Sequence, residues 1–352
     1  MMIPPAIALG IELRVFAENA GESADIAVTA TGDFRNAEDL LRFANGVDVL
    51  TFDHEHVPQE ALQRLVDAGV RVHPSPAALL HAQDKLVMRE RMTGLGLPVP
   101  DWAAVASVAE LDSFLATHGG RAVVKTARGG YDGKGVRVVR AGTDVADWFA
   151  TGPLLAEVVV EFRRELAQVL ARRPSGEIAL WPLVESVQRD GVCAEVIAPA
   201  PDSTPEIRDA AADIATVIAE QLGVTGVLAV ELFETEDGRL LVNELAMRPH
   251  NSGHWSIDGA LTSQFEQHLR AVLDLPLGDT TMQKPWSVMV NLLGDVGDEA
   301  LAACLFAEPT VKTHRYGKPA RAGRKVGHVT AIGDDLDAVR ASARSAAEYF
   351  VR

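Results

Sequence analysis

Two glutamates, Glu231 and Glu244, lie in neighbouring apolar segments of the sequence, residues 227–233 and 240–245. Between these segments stands Asp237-Gly238, a dipeptide that favours a two-residue β-hairpin turn. With that turn, Glu231 lies directly opposite Glu244, where two like charges destabilise a sheet. Two interpretations remain open: a chance pair at a solvated face with one raised pKa, or two hard oxygen ligands for a divalent cation such as Mg²⁺.

A dense group of polar side chains follows the second segment. Its members, all within eight residues, are Arg248, His250, Asn251, Ser252, His254 and Trp255. So many hydrogen-bonding groups directly after a buried strand have no simple packing explanation. They favour the interpretation that the two glutamates belong to a functional site.

A glycine-rich loop at residues 129–135 is the second candidate site. Its glycines are Gly129, Gly130, Gly133 and Gly135. Glycine lets backbone N–H groups turn toward a phosphate without interference from a Cβ atom. The loop is not a Walker loop, because both the GK[ST] sequence and a following helix are missing. A flexible hairpin turn explains the glycines alone equally well. Lys125, at the end of the preceding apolar run, would add a compact positive charge.

Three further charged residues give weaker signals. Lys85 lies early in a helical stretch, residues 73–100, where a solvated surface charge is the default interpretation. Glu157 lies in an apolar strand at residues 154–161 and could accept a hydrogen bond from an adenine amine or a ribose hydroxyl. The alternative is a plain glutamate on an edge strand. Glu165 follows on what reads as a continuing strand.

The C-terminal region contains a local excess of positive charge. Residues 309–333 include no acidic residue but six basic ones: Lys312, Arg315, Lys318, Arg321, Arg324 and Lys325. In a chain of net charge −16 this contrast indicates a site for phosphate or carboxylate groups. A solvated basic face explains it about equally well.

Composition limits the classes of protein to consider. The 352 residues, 47% apolar and 23% charged, are typical of a globular protein with two or three domains. The net charge of −16 argues against broad nucleic-acid binding. Two cysteines, Cys193 and Cys304, are too few for a disulfide framework and indicate a reducing, cytoplasmic setting. We expect no membrane span and no signal peptide, because both patterns are missing.

The first 75 residues alternate short strand and helix patterns. The expected strands are 11–18, 25–30, 48–52 and 70–73, and the expected helices are 36–44 and 58–68. This alternation predicts an open parallel α/β sheet. The chain begins within a helix, without the strand and glycine loop that normally open such a domain.

These motifs together carry a family resemblance that covers residues 1–333. GGYDGKG at 129–135, Asn243-Glu244 with Glu231, RPHNSGHWS at 248–256 and KPARAGRKVGHV at 318–329 resemble the ATP-grasp enzymes. More narrowly, the chain resembles the N5-carboxyaminoimidazole ribonucleotide synthetases of purine biosynthesis. The resemblance implies that ATP activates bicarbonate as carboxyphosphate, which then carboxylates 5-aminoimidazole ribonucleotide. It also implies a homodimer.

The resemblance implies a fold of α/β and α+β parts. The expected domains are an N-terminal open parallel α/β (pre-ATP-grasp) domain at 1–75, a two-lobed ATP-grasp core at 76–285 and a small C-terminal domain at 286–352. The small lobe is expected at about 100–160, and ATP is expected between the lobes.

The resemblance also implies residue roles. Glu231 and Glu244 match ligands of magnesium, for which manganese is the alternative. The nucleotide-binding positions are Lys85, Lys125, Gly129, Gly130, Tyr131, Asp132, Gly133, Lys134, Gly135, Glu157, Val160, Glu165, Asn243 and Glu244. The substrate and bicarbonate positions are Asp132, Arg248, His250, Asn251 and Ser252, and the ribonucleotide phosphate is expected at Lys318 and Arg324. Strict alternation would point Asn243 away from Glu244, so a twist or bulge is required there.

Family members usually carry a strand and a GGGQL-type loop directly before the MM with which this sequence starts. We expect that Met1 is an internal methionine of a longer protein; the alternative is a short chain with an exposed strand edge. Two other functions remain as alternatives. One is a different ATP-grasp ligase, such as the formate-dependent glycinamide ribonucleotide transformylase, and the other is a nucleotide-binding subunit with impaired catalysis.

Overall fold

A computed structural model describes residues 1–130, 135–189, 191–294, 296–319 and 321–350. The α-helices are α1 (Ile3–Ala8), α2 (Ala37–Ala44), α3 (Gln59–Asp67), α4 (Pro76–Gln83), α5 (Lys85–Gly94), α6 (Val108–Thr117), α7 (Pro205–Gln221), α8 (Ser256–Gly259), α9 (Gln264–Val272), α10 (Asp298–Ala307) and α11 (Leu336–Glu348). Short 3-10 helices are Asp25–Ala27, Gly142–Thr151 and Asn251–Gly253. Among these helices none is long and apolar enough to cross a membrane.

Within the part of the chain that the structure describes, the strands form three sheets. They are β1 (Val15–Ala17), β2 (Val28–Thr31), β3 (Trp102–Val105), β4 (Ala122–Thr126), β5 (Val136–Val139), β6 (Leu154–Val158), β7 (Phe162–Arg172), β8 (Ile178–Leu180), β9 (Val184–Arg189), β10 (Val192–Ala198), β11 (Gly226–Thr235), β12 (Leu240–Ala246), β13 (Trp286–Gly294), β14 (Lys312–Arg315) and β15 (Arg321–Gly333). The mixed α/β and α+β class predicted from the sequence is confirmed.

The N-terminal region is a small parallel α/β unit. Strands β1 and β2 pair in parallel, and a single parallel bridge joins Leu50 to Val72. The predicted strands at 48–52 and 70–73 are therefore shorter than expected. Helix α3 begins after Pro58 and buries Leu62 and Leu65, whose i, i+3 spacing places both on one face. These leucines share one hydrophobic cluster with residues of β11 and β12, so this region is anchored to the large sheet.

The small lobe is a four-stranded antiparallel sheet in the order β3-β6-β4-β5. Helix α6 covers one face, where Leu111 and Leu115 are buried against Val124 and Ala156. Strand β6 therefore lies between two neighbours, and the interpretation of Glu157 as an edge-strand glutamate is wrong. The large lobe contains a nine-stranded sheet in the order β12-β11-β7-β9-β10-β13-β15-β14, with β8 attached to β7.

The C-terminal strands continue the large sheet instead of forming a sheet of their own. Strand β13 pairs with β10 on one side and with β15 on the other, both antiparallel. Helix α11 packs on this end of the sheet, with Ala343 buried beside Val288 and Val329. The basic tail is thus attached to the large lobe through strand pairing, although the β13–β15 register shifts near Leu293.

The β11–β12 hairpin has a three-residue loop, so the predicted two-residue turn at Asp237-Gly238 is wrong. The Thr235 N–H donates to the Arg239 carbonyl over 2.9 Å, and Gly238 adopts φ 79. A type I turn followed by a residue in the left-handed region produces such a loop. The three-residue loop places Leu232 opposite Val242, one residue out of the predicted register.

A β-bulge in β12 restores the predicted register further along the hairpin. Val230 lies opposite Leu245, whereas Leu232 lies opposite Val242, so Glu231 faces both Asn243 and Glu244. In a bulge two residues of one strand oppose one residue of its partner, and regular alternation of the side chains is interrupted. The twist or bulge expected at Asn243 is therefore confirmed, and Glu231 lies opposite Glu244 for a different reason than the turn suggested.

Candidate active site

One cavity of about 1950 Å³ brings most of the predicted site residues together. Its walls come from the N-terminal region, both lobes and the C-terminal tail. The predicted residues on its lining are Lys85, Lys125, Gly129, Gly130, Glu157, Val160, Glu165, Glu231, Asn243, Glu244, Arg248, His250, Asn251, Ser252, Lys318 and Arg324. Gly135, the last residue of the glycine-rich loop, is not on the lining; it adopts φ 70, a backbone conformation that favours glycine. Tyr131, Asp132, Gly133 and Lys134 lie outside the described residues.

The opposed glutamates differ in their electrostatic surroundings. Burial, together with repulsion from Glu244 and Glu165, raises the pKa of Glu231 to about 8. Burial also opposes ionisation of Glu244, but the positive charges of Lys125, Lys85 and Arg89 outweigh it and lower the pKa of that carboxyl. Glu244 is therefore ionised near neutral pH, while Glu231 retains a proton until a positive charge approaches the pair.

Lys125 is the centre of a buried ion-pair network. Its side chain is 7% exposed, and its Nζ lies 2.9 Å from Glu157 Oε2 and 3.7 Å from Glu244 Oε1. Lys125 Nζ also donates to Asn243 Oδ1 over 3.0 Å. Glu157 pairs in addition with Arg89, so both cations hold one carboxylate. The network fixes the side chain of Lys125, which extends from β4, against the bulge of β12.

Lys85 does not have the solvated position that was its default interpretation. Its side chain is 11% exposed, and its Nζ lies 3.8 Å from Glu244 Oε1. Asp84 caps helix α5 by accepting from the N–H groups of Leu86 and Val87, which fixes Lys85 as the first helical residue. Lys85 and Lys125 therefore place two positive charges beside one carboxylate.

The polar segment after β12 contacts both the carboxylate pair and the N-terminal region. His250 Nδ1 lies 2.9 Å from Ser252 Oγ, and its Nε2 lies 3.5 Å from Glu231 Oε1. Burial and the charges of Arg248 and Lys325 lower the pKa of His250 to about 3, so its imidazole is neutral at physiological pH. Arg248 Nε lies 3.3 Å from a carboxylate oxygen of Glu55.

Several residues that complete the site carried no clear signal in the sequence. Glu55 accepts from the Met247 N–H over 2.8 Å with one oxygen and pairs with Arg248 through the other. Arg89 is wholly buried and pairs with Glu157. Glu55 and Arg89 each pair with a residue that is distant in the sequence, so only the tertiary structure shows these ion pairs.

The basic tail divides between the cavity and the outer surface. Lys318 and Arg324 are exposed and line the cavity. Tyr316 lines the cavity as well but is only half-buried. Lys318 Nζ lies 5.4 Å from the centroid of the Tyr316 ring, a geometry that favours a cation–π contact. The Tyr316 hydroxyl lies 2.8 Å from Nδ1 of the buried His328. Tyr316 thus connects the cavity wall to the interior of the large sheet.

The raised pKa of Glu231 predicts how stability depends on pH in the ligand-free protein. Its ordinary value is 4.5 and its folded value about 8, so between these values the folded state holds a proton that the unfolded state has released. The free energy of unfolding should therefore fall as pH rises through this window. Glutamine has no proton to release, so the Glu231→Gln variant should lack this fall in the free energy of unfolding. The variant should therefore gain stability relative to the wild type as the pH rises from 6.5 to 8, measured by urea unfolding; a constant difference between the two proteins would contradict this prediction.

Comparison with known proteins agrees with this arrangement. A cavity lined by a small antiparallel lobe and a larger sheet is the arrangement of an ATP-grasp enzyme, and the family model of the ATP-grasp domain matches residues 90–265. Enzymes of this class use ATP and a divalent metal. Two further models match, the ribonucleotide synthetase preATP-grasp domain at residues 1–83 and the phosphoribosylaminoimidazole carboxylase C-terminal domain at residues 287–342.

Relatives define the family within this class. The N5-carboxyaminoimidazole ribonucleotide synthase of Mycobacterium tuberculosis (strain ATCC 25618 / H37Rv) is 51% identical over 98% of this chain and 83% of its own. The crystal structure of N5-carboxyaminoimidazole ribonucleotide synthetase from Thermus thermophilus has a TM-score of 0.91 at 36% identity, covering 100% of this chain and 95% of that one. The enzyme of Aspergillus clavatus, in complex with ADP and 5-aminoimidazole ribonucleotide, has a TM-score of 0.88 at 29% identity, covering 99% and 95%.

The chain belongs to the N5-carboxyaminoimidazole ribonucleotide synthase family. It is therefore an ATP-dependent ligase of purine biosynthesis, as its sequence motifs predicted.

Proposed function

We propose that this chain carboxylates 5-aminoimidazole ribonucleotide with bicarbonate. The cavity lining would contain three regions: one for the nucleotide, one for a divalent cation, and one for bicarbonate and the ribonucleotide. The observation that carries the proposal is the single cavity, which is lined both by Lys125 with Glu244 and by Lys318 with Arg324. A nucleotide and a ribonucleotide phosphate would thus meet in one cavity. The related Aspergillus clavatus structure, with ADP and 5-aminoimidazole ribonucleotide bound, supports the same pair of ligands.

The nucleotide region comprises the two lysines and the glycine loop. Lys85 and Lys125 are already fixed by Glu244, so their charges are in place before ATP binds. Such preorganised charges stabilise the charge that develops on a transferred phosphoryl group. Backbone N–H groups of the glycine loop, beginning at Gly129 and Gly130, would contact the phosphates. Val160 and Glu165 would contact the adenosine.

Glu157 has a supporting role in this proposal. Its carboxylate is engaged by Lys125 and Arg89, so it holds Lys125 in position more directly than it can receive an adenine amine. This assignment differs from the adenine or ribose contact that the sequence suggested. The loop residues Tyr131, Asp132, Gly133 and Lys134 keep their proposed nucleotide and substrate roles.

The glutamate pair fits a divalent cation. A carboxyl whose pKa is raised by a neighbouring carboxylate gains most from a positive charge placed between the two. Among the described residues no group of three or more His, Cys, Asp or Glu side chains forms a metal site. Two carboxylates completed by phosphate oxygens and water suit Mg²⁺, with Mn²⁺ as the alternative. Bound there, the cation would neutralise charge on the phosphates.

The reaction consists of two displacements. Bicarbonate oxygen attacks the γ-phosphorus of ATP, which releases ADP and forms carboxyphosphate. The amine of 5-aminoimidazole ribonucleotide then attacks the carboxyl carbon, loses a proton and releases phosphate. Arg248, His250, Asn251 and Ser252 would hold bicarbonate and the aminoimidazole, and the neutral His250 can donate or accept one hydrogen bond there. Binding within the cavity would limit the contact of carboxyphosphate with water.

The assembly and the location are separate proposals. We propose a homodimer, as the family resemblance implies. We also propose a cytoplasmic location, supported by Cys193 and Cys304, which are both buried and unpaired as expected in a reducing compartment. We propose no partnership with nucleic acid or with a membrane.

Phosphate release from ATP in the presence of bicarbonate tests the reaction and the role of the tail together. We expect 5-aminoimidazole ribonucleotide to stimulate release and glycinamide ribonucleotide with formate to have no effect. Lys318→Ala should raise the concentration of 5-aminoimidazole ribonucleotide needed for half-maximal rate roughly tenfold, because a charge-assisted phosphate contact of about 1.4 kcal/mol or more is lost.

Lys312→Ala is the matched control, because Lys312 is an exposed lysine on the neighbouring strand β14 outside the cavity lining. In this variant, the concentration of 5-aminoimidazole ribonucleotide that gives the half-maximal rate should equal that of the wild type. If the two substitutions have equal effects, the basic tail is a solvated basic face and not a specific site for the ribonucleotide phosphate. If glycinamide ribonucleotide with formate stimulates phosphate release and 5-aminoimidazole ribonucleotide does not, the proposed reaction is wrong.

A further inference from the structure

Arg89 on helix α5 is wholly buried, at 0% exposure, although arginine is always charged. A buried charge without partners would cost several kcal/mol. Arg89 donates to the carbonyl oxygen of Val242 over 2.6 Å through Nη1 and to that of Asn243 over 3.0 Å through Nη2. It also pairs with the Glu157 carboxylate. Two of its three partners are consecutive backbone carbonyls.

Those two carbonyls face the same way because of the β-bulge. In a regular strand, successive residues direct their N–H and C=O groups to opposite edges. Strand β12 is the edge of the large sheet, and the Val242 N–H donates outward to the Pro98 carbonyl over 2.8 Å. The Val242 carbonyl faces the same outer edge. The Asn243 carbonyl should face inward, and it reaches the same guanidinium only because the ladder is interrupted there.

We propose that Arg89 is a positioning residue that holds this bulge and thereby places Asn243 and Glu244 side by side against Lys125. The rigid, planar guanidinium donates to two acceptors at a fixed spacing, which the single ammonium of lysine cannot reproduce. The inference rests on the proposed roles of Glu244 and Lys125 in binding nucleotide and metal.

The same guanidinium also connects the two lobes of the site. Glu157 lies on β6 of the small lobe, whereas Val242 and Asn243 lie on β12 of the large sheet. Arg89 therefore fixes the separation between the strand that carries Glu157 and the strand that carries Glu244. Lys125, which contacts both glutamates, depends on that separation for its two ion pairs.

The test is the binding of magnesium–ADP to the 352-residue chain, measured by calorimetry without turnover. Arg89→Lys should weaken binding roughly 10- to 100-fold, the range found when residues that orient metal ligands are replaced. The gain in ADP affinity on adding magnesium should shrink as well, because Glu244 is no longer held opposite Glu231. The KM for 5-aminoimidazole ribonucleotide, measured in a separate turnover assay, should change by less than about twofold, since none of the side-chain partners of Arg89 seen among the described residues belongs to the basic tail.

Arg164→Lys is the matched control. Arg164 is 8% exposed, lies on β7 of the same sheet, pairs with Glu185 at 3.1 Å and with Glu234, and does not line the cavity. Its replacement should lower the melting temperature without changing magnesium–ADP affinity. Wild-type affinity in Arg89→Lys, or an equal loss of affinity in Arg164→Lys, would overturn the inference.

Two further variants keep these outcomes distinct. If Glu244→Gln binds magnesium–ADP as the wild type does, the proposed role of Glu244 fails. If Glu244→Gln weakens binding and Arg89→Lys does not, only the positioning role fails. Should Arg89→Lys not fold, Arg89→Gln supplies the same comparison, because its shorter side chain lacks both Nη donors and places no unpaired positive charge at this buried position.

Discussion

Glu244→Gln should reduce magnesium-dependent release of phosphate from ATP by roughly 100-fold or more, while the protein remains folded. Glu244 is the ionised member of the opposed pair, because Lys125, Lys85 and Arg89 outweigh the burial that raises its pKa. Glutamine keeps the size of the side chain but removes the charge that pairs with the two lysines and that is proposed to bind the cation. Rates should be measured over a range of magnesium concentrations, together with circular dichroism.

Glu236→Gln provides the control for this prediction. Glu236 belongs to the same hairpin but is exposed in its loop. Its replacement should leave the rate and its magnesium dependence unchanged. Turnover close to that of the wild type in Glu244→Gln would remove the argument for a cation between the two glutamates.

Lys125→Met should lower the free energy of unfolding by about 3–5 kcal/mol, the usual cost of removing one partner from a buried ion pair. The substitution leaves Glu157 with Arg89 alone and removes the nearest positive charge from Glu244. The methionine fills similar volume, so the loss reports charge and not a cavity. Urea unfolding at pH 7, with and without ADP, measures it.

Two comparisons make the result specific. Lys284→Met removes a lysine whose pair with Asp334 is exposed, and its effect should stay within about 0.5 kcal/mol. The double variant Lys125→Met, Glu157→Gln should be no more stable than Lys125→Met, because the buried Arg89 then loses its carboxylate partner as well. A loss below about 1 kcal/mol in Lys125→Met would contradict the structural importance of this network.

The β11–β12 hairpin shows how far the sequence could predict the site. The apolar runs and Asp237-Gly238 correctly indicated a hairpin with Glu231 opposite Glu244. The turn length was wrong, because Gly238 ends a three-residue loop, and the bulge at Asn243 then compensated for the error. Local sequence specifies that a chain reverses, but the register also depends on partners outside the hairpin.

Those partners explain what the sequence could not predict. Arg89 and Pro98 contact the outer edge of β12 from segments far earlier in the chain. Lys85 resembled a surface charge, because nothing near it in sequence indicates that Glu244 lies 3.8 Å away. Motifs with a characteristic glycine spacing or a run of like charges could be recognised in the sequence. The partners of single charged residues such as Lys85 could not, because they depend on the fold.

The continuity of the large sheet has a consequence for how the protein is synthesised. Strands β7, β9, β10, β11 and β12 have all been made once Ala246 emerges, so the hairpin that carries Glu244 can form early. Strand β10 still lacks its neighbour β13 until Gly294 has been added. During that interval a seven-residue, largely apolar edge is unpaired. A ribosome that pauses there would expose this edge to other nascent chains.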